Sequence, residues 1–227
     1  MSEQDEQKRA AAELALESVE SGMLLGVGTG STARFFIEGL SRRAASGLRV
    51  TAVATSEETA RMVAAAGIPV VDDIDRPIDL AVDGADEIDP ALNLLKGHGG
   101  ALFREKLVAV AARRFLVIVD ESKVVQRLGQ TYVPVEVLPF LWRLTAERLA
   151  GLGASWELRG GLDAPFRTDN GSLVVDLTFP GGVGDSERTA ALIKGVTGVL
   201  EHGLFLGLTT ACLVAGPKGV RVLERPT

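Results

Sequence analysis

The residues with the clearest potential for chemistry lie between positions 83 and 105, in the segment DGADEIDPALNLLKGHGGALFRE. This segment contains five acidic side chains, four glycines and a single lysine, Lys96. Carboxylates placed beside an ammonium group are typical of proton transfer on a small polar substrate. The apolar residues on either side predict a buried strand over 78–82 and a helix over 101–112. The polar residues therefore fall in loops at the carboxyl end of a strand, where open parallel sheets bind ligands.

The spacing of Asp83 and Asp86 leaves two interpretations open. Carboxylates suit Mg²⁺, which favours a metal site. Alternatively, the two acids perform acid–base chemistry on sugar hydroxyls while Lys96 stabilises an oxyanion without a metal ion. A run of acids is often no more than a solvated loop, but the glycines within residues 97–100 favour close approach of a ligand or a tight turn.

Glu105 is the acid closest to the helix predicted after Gly100. With Leu102 and Val108 on the buried face of that helix, Glu105 borders the polar loops and is a candidate general base. An acid near a helix N-terminus is also favoured by the helix dipole alone. The sequence does not decide between these two interpretations.

A second candidate site is the glycine turn GVGTGSTA at residues 26–33, between a predicted strand and a predicted helix. The unpaired amides of a helix N-terminus, together with the hydroxyls of Ser31 and Thr32, predict a phosphate cradle. The glycine spacing also satisfies the dinucleotide pattern, but the next strand ends in Ala54-Thr55-Ser56, without an acid for a ribose. A phosphomonoester therefore fits better, and a simple turn capped by Ser31 is the alternative.

The positions of these motifs depend on the order of predicted elements. Strands alternate with helices over residues 1–130, which predicts a doubly wound, mostly parallel, Rossmann-like sheet. Near Thr131 the pattern changes, and Pro134 and Pro139 interrupt it. We therefore expect an α/β protein in which a smaller α+β domain, residues 131–205, is inserted near the C-terminus of a catalytic domain formed by residues 1–130 and 206–227.

Composition restricts the class of function. Of 227 residues, 46% are hydrophobic and 24% are charged, as in ordinary globular proteins. The net charge of −6 argues against general nucleic-acid binding. The polar N-terminus lacks the apolar core of a signal peptide, and no apolar run approaches the ~20 residues of a membrane span. The single Cys212, expected in a buried strand, fits a reducing compartment. We expect a cytoplasmic protein without nucleic-acid or membrane partners.

Together these segments closely resemble the ribose-5-phosphate isomerase A family. The matching pieces occur in the family's order and extend over nearly the whole chain. The resemblance implies interconversion of ribose 5-phosphate and ribulose 5-phosphate through an enediol(ate), in the non-oxidative pentose phosphate pathway. It also implies no metal and no organic cofactor, and a homo-oligomer that is a dimer or a tetramer. The pieces are GVGTGSTA (26–33), VDGADEID (82–89), KGHGGALFREK (96–106), VDESKVV (119–125), VPVEVLP (133–139) and GLF (203–205).

The resemblance also implies roles for individual residues. Glu105 resembles the base that moves a proton between C2 and C1 of the sugar, and Lys96 resembles the lysine that stabilises the developing oxyanion. Asp83 and Asp86 are implicated in ring opening and in holding hydroxyls. The remaining residues implied to bind substrate are Thr29, Gly30, Ser31, Thr32, Gly84, Ala85, Gly97, His98, Gly99, Lys123 and Lys8.

His98 departs from the family pattern, which usually has glycine at this position. If the position needs a positive φ, histidine is strained there. The imidazole is also a candidate second acid or donor. We expect a tolerated loop substitution.

Two other functions are compatible with parts of the sequence. A non-catalytic sugar-phosphate sensor would usually carry a helix-turn-helix segment, for which there is no room before a first strand at about residue 23. Such a sensor would also not need Glu105 and Lys96. A dinucleotide-dependent oxidoreductase is disfavoured because the second strand does not end in an acid.

Overall fold

The structure is a computed structural model, and it describes residues 2–225. The chain folds into two compact units. The first contains Met1–Ala85, Arg104–Val124 and Leu208–Thr227, and the second contains Asp86–Phe103 and Val125–Gly207. In chain order the elements are α1 (Glu3–Leu16), β1 (Leu24–Val27), α2 (Ser31–Ala45), β2 (Thr51–Ala54), α3 (Glu57–Ala65), β3 (Leu80–Asp83), β4 (Glu87–Ile88), β5 (Leu94–Leu95), α4 (Leu102–Ala111), β6 (Phe115–Asp120), a 3-10 turn (Glu121–Lys123), β7 (Val133–Val137), α5 (Trp142–Ala150), β8 (Ser155–Leu158), β9 (Leu173–Thr178), α6 (Ser186–Lys194), β10 (Val199–His202), β11 (Leu204–Phe205), β12 (Ala211–Gly216) and β13 (Gly219–Glu224).

The first unit is built on a six-stranded sheet with the order β13-β12-β6-β3-β1-β2. All neighbouring strands pair in parallel except the edge strand β13, which is antiparallel to β12. The central strands β1, β3 and β6 are buried along their whole length, which explains their continuous apolar sequences. The predicted fold class, a doubly wound and mostly parallel sheet, is confirmed.

Side chains alternate between the two faces of this sheet. Leu25 and Val27 of β1 join a core with α1 and α2, in which Leu16, Phe36 and Leu40 are buried. Gly26, between them, faces the opposite side, where a Cβ would lie 2.4 Å from the Cγ1 of Val108 in α4. Helix α4 therefore packs directly against the middle of the sheet, and glycine at position 26 leaves space for it.

The second unit contains two antiparallel sheets. One has the order β10-β7-β9-β8, and the other is a small sheet with the order β11-β5-β4. The buried core under the larger sheet includes Val135, Val175 and Leu177 from the strands and Leu149 from α5. Within residues 2–225, no helix is both long and apolar enough to cross a bilayer.

The structure differs from the predicted pattern around VPVEVLP. Residues Val133–Val137 form the strand β7, between β9 and β10, although proline is usually confined to edge strands. The register explains the exception, because β10 pairs with β7 only from Val135 onward. Gly203, just after β10, donates its N–H to the carbonyl of Pro134 over 2.8 Å, so Pro134 contributes only an acceptor on that side.

The two compact units also differ from the predicted domain boundaries, mainly in residues 86–103. The sequence places this segment in the catalytic domain. In the structure it lies with the second unit, because β4 pairs with β5 and β5 pairs with β11. The two-residue strands β4 and β5 are too short to give a recognisable sequence pattern.

Candidate active site

The first group of candidate residues lies at one edge of the six-stranded sheet. Parallel strands end at the same edge, so the carboxyl ends of β2, β1, β3 and β6 lie in a row there. Thr29–Thr32 follow β1, Asp83–Ala85 end β3, and Lys123 lies in the 3-10 turn after β6. Because β1 lies between β2 and β3, this is also the point where the strand order reverses, where doubly wound sheets bind ligands.

The glycine turn leads directly into α2. Gly30 is the N-cap residue with φ of 106°, and it has no side-chain capping bond. The alternative of a turn capped by Ser31 is therefore wrong. Ser31 is the first helical residue, and its Oγ accepts a hydrogen bond from the Nζ of Lys8 in α1 over 3.1 Å. A helix N-terminus with an ammonium group beside it is an anion site by its charge and its donors.

The hydroxyl group of Thr29, in the turn, forms a hydrogen-bonded cluster with three other hydroxyl groups. The Oγ1 of Thr29 lies 2.7 Å from Thr55 Oγ1, 2.9 Å from Ser56 Oγ and 3.0 Å from Thr59 Oγ1. Thr59 donates to the carbonyl of Gly28 over 3.1 Å. Thr55, Ser56 and Thr59 are all buried, so they brace the backbone of the turn. Thr59 was missed by the sequence reasoning, because a threonine in the first turn of a helix carries no distinctive signal.

Asp83 connects the glycine turn to the acidic segment. Its side chain is buried, and Oδ1 accepts hydrogen bonds from the backbone N–H of Thr29 over 3.2 Å and of Gly84 over 2.7 Å. A Cβ at Gly28 would lie 2.0 Å from the same oxygen, so only glycine fits beside this carboxylate. Two motifs that are far apart in the sequence are thus in direct contact.

Glu105 lies near the start of α4 and is only 7% exposed. It precedes Val108 by three residues, so the two side chains lie on the same side of the helix. Since Val108 packs over Gly26, Glu105 faces the sheet as well. Helix α4 connects the parallel neighbours β3 and β6, so it runs back across the sheet and begins near the carboxyl edge. A carboxylate is therefore enclosed at the edge where ligands bind in such folds.

The second group of candidate residues belongs to the second unit and contains Lys96. Lys96 follows β5, and its backbone N–H donates to the carbonyl of Gly203 over 2.9 Å. Lys96 is only 3% exposed, and its Nζ lies 5.7 Å from the centroid of the Phe205 ring. Gly97 and Gly100 have φ values of 110° and 83°, which favour glycine. The lysine is thus held in a loop whose backbone shape depends on glycine.

Asp86 and His98 are in contact within the second unit. The backbone N–H of His98 donates to Asp86 Oδ2 over 3.0 Å, and Nδ1 of the imidazole lies 3.5 Å from Asp86 Oδ1. The ring centroids of His98 and Tyr132 are 4.3 Å apart. Among the described non-glycine residues, only Leu92 and Leu141 have a positive φ, so His98 carries none of the backbone strain considered from the sequence.

Tyr132 provides a neutral surface for the imidazole. Burial raises the pKa of the Tyr132 phenol above its ordinary value, the nearby Arg159 opposes this, and the carboxylates of Asp176 and Asp86 add to it. The phenol therefore keeps its proton at neutral pH. The other imidazole nitrogen of His98, Nε2, lies 3.3 Å from both Thr131 Oγ1 and the carbonyl oxygen of Tyr132.

Glu87 has a structural role that the sequence did not reveal. It is buried, and its carboxylate accepts hydrogen bonds from the N–H of Gly129 over 2.6 Å and from the N–H and Oγ1 of Thr131 over 2.7 and 2.6 Å. It therefore fixes the segment that ends beside Tyr132. In the run of acids, nothing distinguishes this carboxylate from its neighbours.

The segment from Asp83 to Asp86 does not form a helical turn, although the spacing of the two acids would suit one. Asp83 is the last residue of β3, Asp86 lies in a bend, and β4 begins at Glu87. Within residues 2–225 there is no group of three or more His, Cys, Asp or Glu side chains arranged to hold a metal ion.

Comparison with known proteins gives a consistent result. The profile of the family described as Ribose 5-phosphate isomerase A (phosphoriboisomerase A) matches residues 51–219. Ribose-5-phosphate isomerase A of Nitrobacter hamburgensis is 49% identical, with 97% of this chain and 98% of the relative covered. The solved ribose 5-phosphate isomerase of Plasmodium falciparum is 37% identical with a TM-score of 0.94, and covers 98% of this chain and 100% of its own. A solved D-ribose-5-phosphate isomerase in complex with phospho-erythronic acid is 38% identical with a TM-score of 0.94, and covers 99% and 100%.

Proposed function

Because the chain belongs to the ribose 5-phosphate isomerase A family and is therefore an isomerase that interconverts ribose 5-phosphate and ribulose 5-phosphate, we propose that Glu105 is its catalytic base. The observation that supports this most strongly is the burial of Glu105 at the start of α4, at the carboxyl edge of the sheet. Membership of this family argues against the two alternatives, a non-catalytic sugar-phosphate sensor and a dinucleotide-dependent oxidoreductase.

The proposed reaction moves one proton between two carbons. Glu105 takes the proton from C2 of the open-chain aldose, the C2–H electrons form the C1–C2 double bond, and O1 becomes the enediolate oxygen. Glu105 then returns the proton to C1, while the proton of the O2 hydroxyl passes to O1, so that O1 becomes the C1 hydroxyl and O2 becomes the ketone oxygen. Since a base alone does not make such a proton acidic, the enediolate must be stabilised as it forms.

Lys96 is the proposed source of that stabilisation. Its ammonium group is buried, and interactions with a developing negative charge are stronger where water is excluded. Two contacts limit the positions that the Lys96 side chain can take. The Phe205 ring lies near Nζ, and the backbone N–H of Lys96 is hydrogen-bonded to Gly203. A fixed cation suits an intermediate whose charge appears at a defined oxygen.

Asp83 and Asp86 are proposed to open the furanose ring and to hold hydroxyl groups. Ring opening breaks the C1–O4 bond, delivers a proton to O4 and removes one from O1, which is work for carboxyl groups. Asp83 is already oriented by two backbone N–H groups, and Asp86 by the N–H of His98. The backbone at Gly84, Ala85, Gly97, His98 and Gly99 is proposed to line the sugar.

The phosphate is proposed to bind at the glycine turn. Thr29, Gly30, Ser31 and Thr32 form the turn that presents the first amides of α2 and the hydroxyls of Ser31 and Thr32, and Lys8 adds a positive charge at Ser31. Anchoring the phosphate holds the reacting carbons still, so binding energy remote from the reaction lowers the barrier. Lys123, after β6, is proposed as a further substrate contact at the same edge of the sheet.

We also propose that the enzyme works in the cytoplasm as a homo-oligomer, without metal or organic cofactor and without nucleic-acid or membrane partners. The family resemblance supports the oligomer and the absence of a cofactor, and the net charge of −6 supports the absence of nucleic acid. Light scattering should give a mass of two or four chains of 23.9 kDa. A mass of one chain would contradict the oligomer.

The proposed roles are tested by one assay. EDTA-treated protein is mixed with ribose 5-phosphate, and ribulose 5-phosphate is followed for the wild type and for Glu105→Gln. We expect rapid conversion by the wild type alone, with binding of phospho-erythronic acid retained by the variant. A wild type that is inactive after EDTA and recovers with Mg²⁺ would restore the metal interpretation of Asp83 and Asp86. An active Glu105→Gln would remove Glu105 from the mechanism.

A further inference from the structure

Arg159 makes an unusual set of contacts within the second unit. It follows the last residue of β8, and its Nη1 donates to the carbonyl of Gly97 over 2.8 Å and to that of His98 over 3.1 Å. On its other side, Nε and Nη2 donate to the two carboxylate oxygens of Asp176 in β9 over 2.9 and 2.5 Å. The hydrogen bonds of this side chain thus point to the loop after Lys96 and to its own counter-ion.

The peptide group between Gly97 and His98 joins Arg159 to Asp86. Its carbonyl accepts from the guanidinium, while its N–H donates to Asp86 Oδ2 over 3.0 Å. Because a peptide group is planar, a bond that fixes the direction of the carbonyl also fixes the direction of the N–H. The positive charge at the carbonyl also polarises the peptide, which makes the N–H a stronger donor to the carboxylate.

Arg159 is itself held in place. Its side chain and that of Asp176 are 13% and 14% exposed, and the guanidinium carbon lies 5.5 Å from the Tyr132 ring and 5.8 Å from the Phe166 ring. Its backbone N–H donates to Val174 over 3.0 Å, and its carbonyl accepts from Phe166 over 2.8 Å. A planar, bidentate ion pair between two aromatic rings restricts the orientation of the guanidinium.

From this geometry we propose that Arg159 is a positioning residue for the isomerase reaction, which orients Asp86 and the loop of Lys96 through the peptide group between Gly97 and His98. Asp176 fixes the guanidinium for this purpose. The proposal rests on the proposed roles of Asp86 and Lys96 in the reaction. It adds a residue at the end of β8, far from both in the sequence, whose side chain acts through the loop and not on the substrate.

Three variants test the proposal. Arg159→Met removes the guanidinium, and Arg159→Lys keeps the charge beside Asp176 but cannot form the bidentate pair and reach both carbonyls. A surface cavity of about 670 Å³ is bordered by both Arg159 and Arg143. Arg143→Met is the matched control, because Arg143 is an exposed arginine at this cavity. All variants are compared at a temperature at which each is folded by circular dichroism.

Two measurements are made on the same preparations. Hydrogen–deuterium exchange follows the amides of residues 96–100, and steady-state kinetics give kcat with ribose 5-phosphate and the inhibition constant of inorganic phosphate. For Arg159→Met we expect at least tenfold faster exchange at the His98 amide and at least tenfold lower kcat. The inhibition constant of inorganic phosphate should stay within twofold of the wild type, because the glycine turn that is proposed to bind the phosphate lies in the first unit. The exchange rate and kcat of Arg159→Lys should lie between those of Arg159→Met and the wild type, and both quantities in Arg143→Met should match the wild type.

Other results would overturn the proposal. A folded Arg159→Met with unchanged exchange at residues 96–100 would show that Arg159 does not hold the loop. Faster exchange with wild-type kcat would show that the contact is structural only. Asp86→Asn separates this proposal from the assignment of Asp86: if that variant has wild-type kcat, the assigned role of Asp86 is wrong. If Asp86→Asn is impaired while Arg159→Met is not, only the role of Arg159 is wrong.

Discussion

The backbone N–H of Thr29 donates a hydrogen bond to the Oδ1 of Asp83 over 3.2 Å. The bond joins the glycine turn after β1 to the acidic segment after β3, at the point where the strand order reverses. The same carboxylate oxygen accepts the N–H of Gly84 over 2.7 Å. The glycine turn and Asp83 are therefore held together by direct hydrogen bonds, and a change at Asp83 is expected to affect both.

Substitution of Asp83 separates its structural role from its chemical role. Asp83→Asn keeps an oxygen that can accept both N–H groups, whereas Asp83→Ala removes it. We expect Asp83→Asn to unfold at nearly the wild-type denaturant concentration but to lose at least tenfold in kcat. Asp83→Ala should lose about 1–3 kcal/mol of stability as well, because two partly buried N–H donors lose this acceptor. Urea unfolding and steady-state kinetics measure both, and wild-type kcat for Asp83→Asn would show that the carboxylate does no chemistry.

Lys8 tests the location of the phosphate site. Removing its charge from the Ser31 hydroxyl should weaken the binding of the substrate and the transition state alike, so Lys8→Met is expected to raise KM for ribose 5-phosphate about tenfold with kcat nearly unchanged. Lys218→Met is the control, since Lys218 is exposed in the turn between β12 and β13. An unchanged KM in Lys8→Met would place the phosphate elsewhere.

His98 should be dispensable for chemistry. His98→Gly removes the ring contact with Tyr132 but keeps the backbone N–H that donates to Asp86. We expect a stability loss of about 1–2 kcal/mol, from the lost ring contact and the added backbone freedom, with kcat within threefold of the wild type. Denaturant titration and initial rates measure these quantities. A kcat loss beyond tenfold would instead make the imidazole part of the reaction.

Cys212 should be chemically inert in the folded protein. It is fully buried in β12, and burial raises the pKa of its thiol to about 12, with Arg221 opposing the shift. At pH 8 the thiolate fraction is then about a thousandfold lower than for an ordinary thiol. An aromatic disulfide reagent should react at a rate set by unfolding, and fast native labelling would contradict the burial. Since the unfolded chain loses this proton at lower pH, the thiol also makes stability fall as the pH rises above about 9.

The sequence predicted the elements whose patterns are local. The buried strands, the helix over Ser31–Ala45 and the glycine turn all follow from apolar runs, periodicity and glycine spacing. It could not predict β4, β5 or the strand at Pro134, because these depend on pairing with residues distant in the chain. For the same reason Thr59, Glu87 and Arg159 were missed: each is an ordinary residue locally and gains its role from a long-range hydrogen bond.

The central claim, that Glu105 carries the proton between the two carbons, is tested most directly by isotope exchange. Ribose 5-phosphate is incubated in D₂O with EDTA-treated enzyme, and NMR follows deuterium at C1 of ribulose 5-phosphate and at C2 of the remaining ribose 5-phosphate. We predict incorporation by the wild type, and exchange at least a thousandfold slower for Glu105→Gln, which should still bind ribose 5-phosphate. Exchange by Glu105→Gln at the wild-type rate would contradict the account and assign the proton transfer to another group.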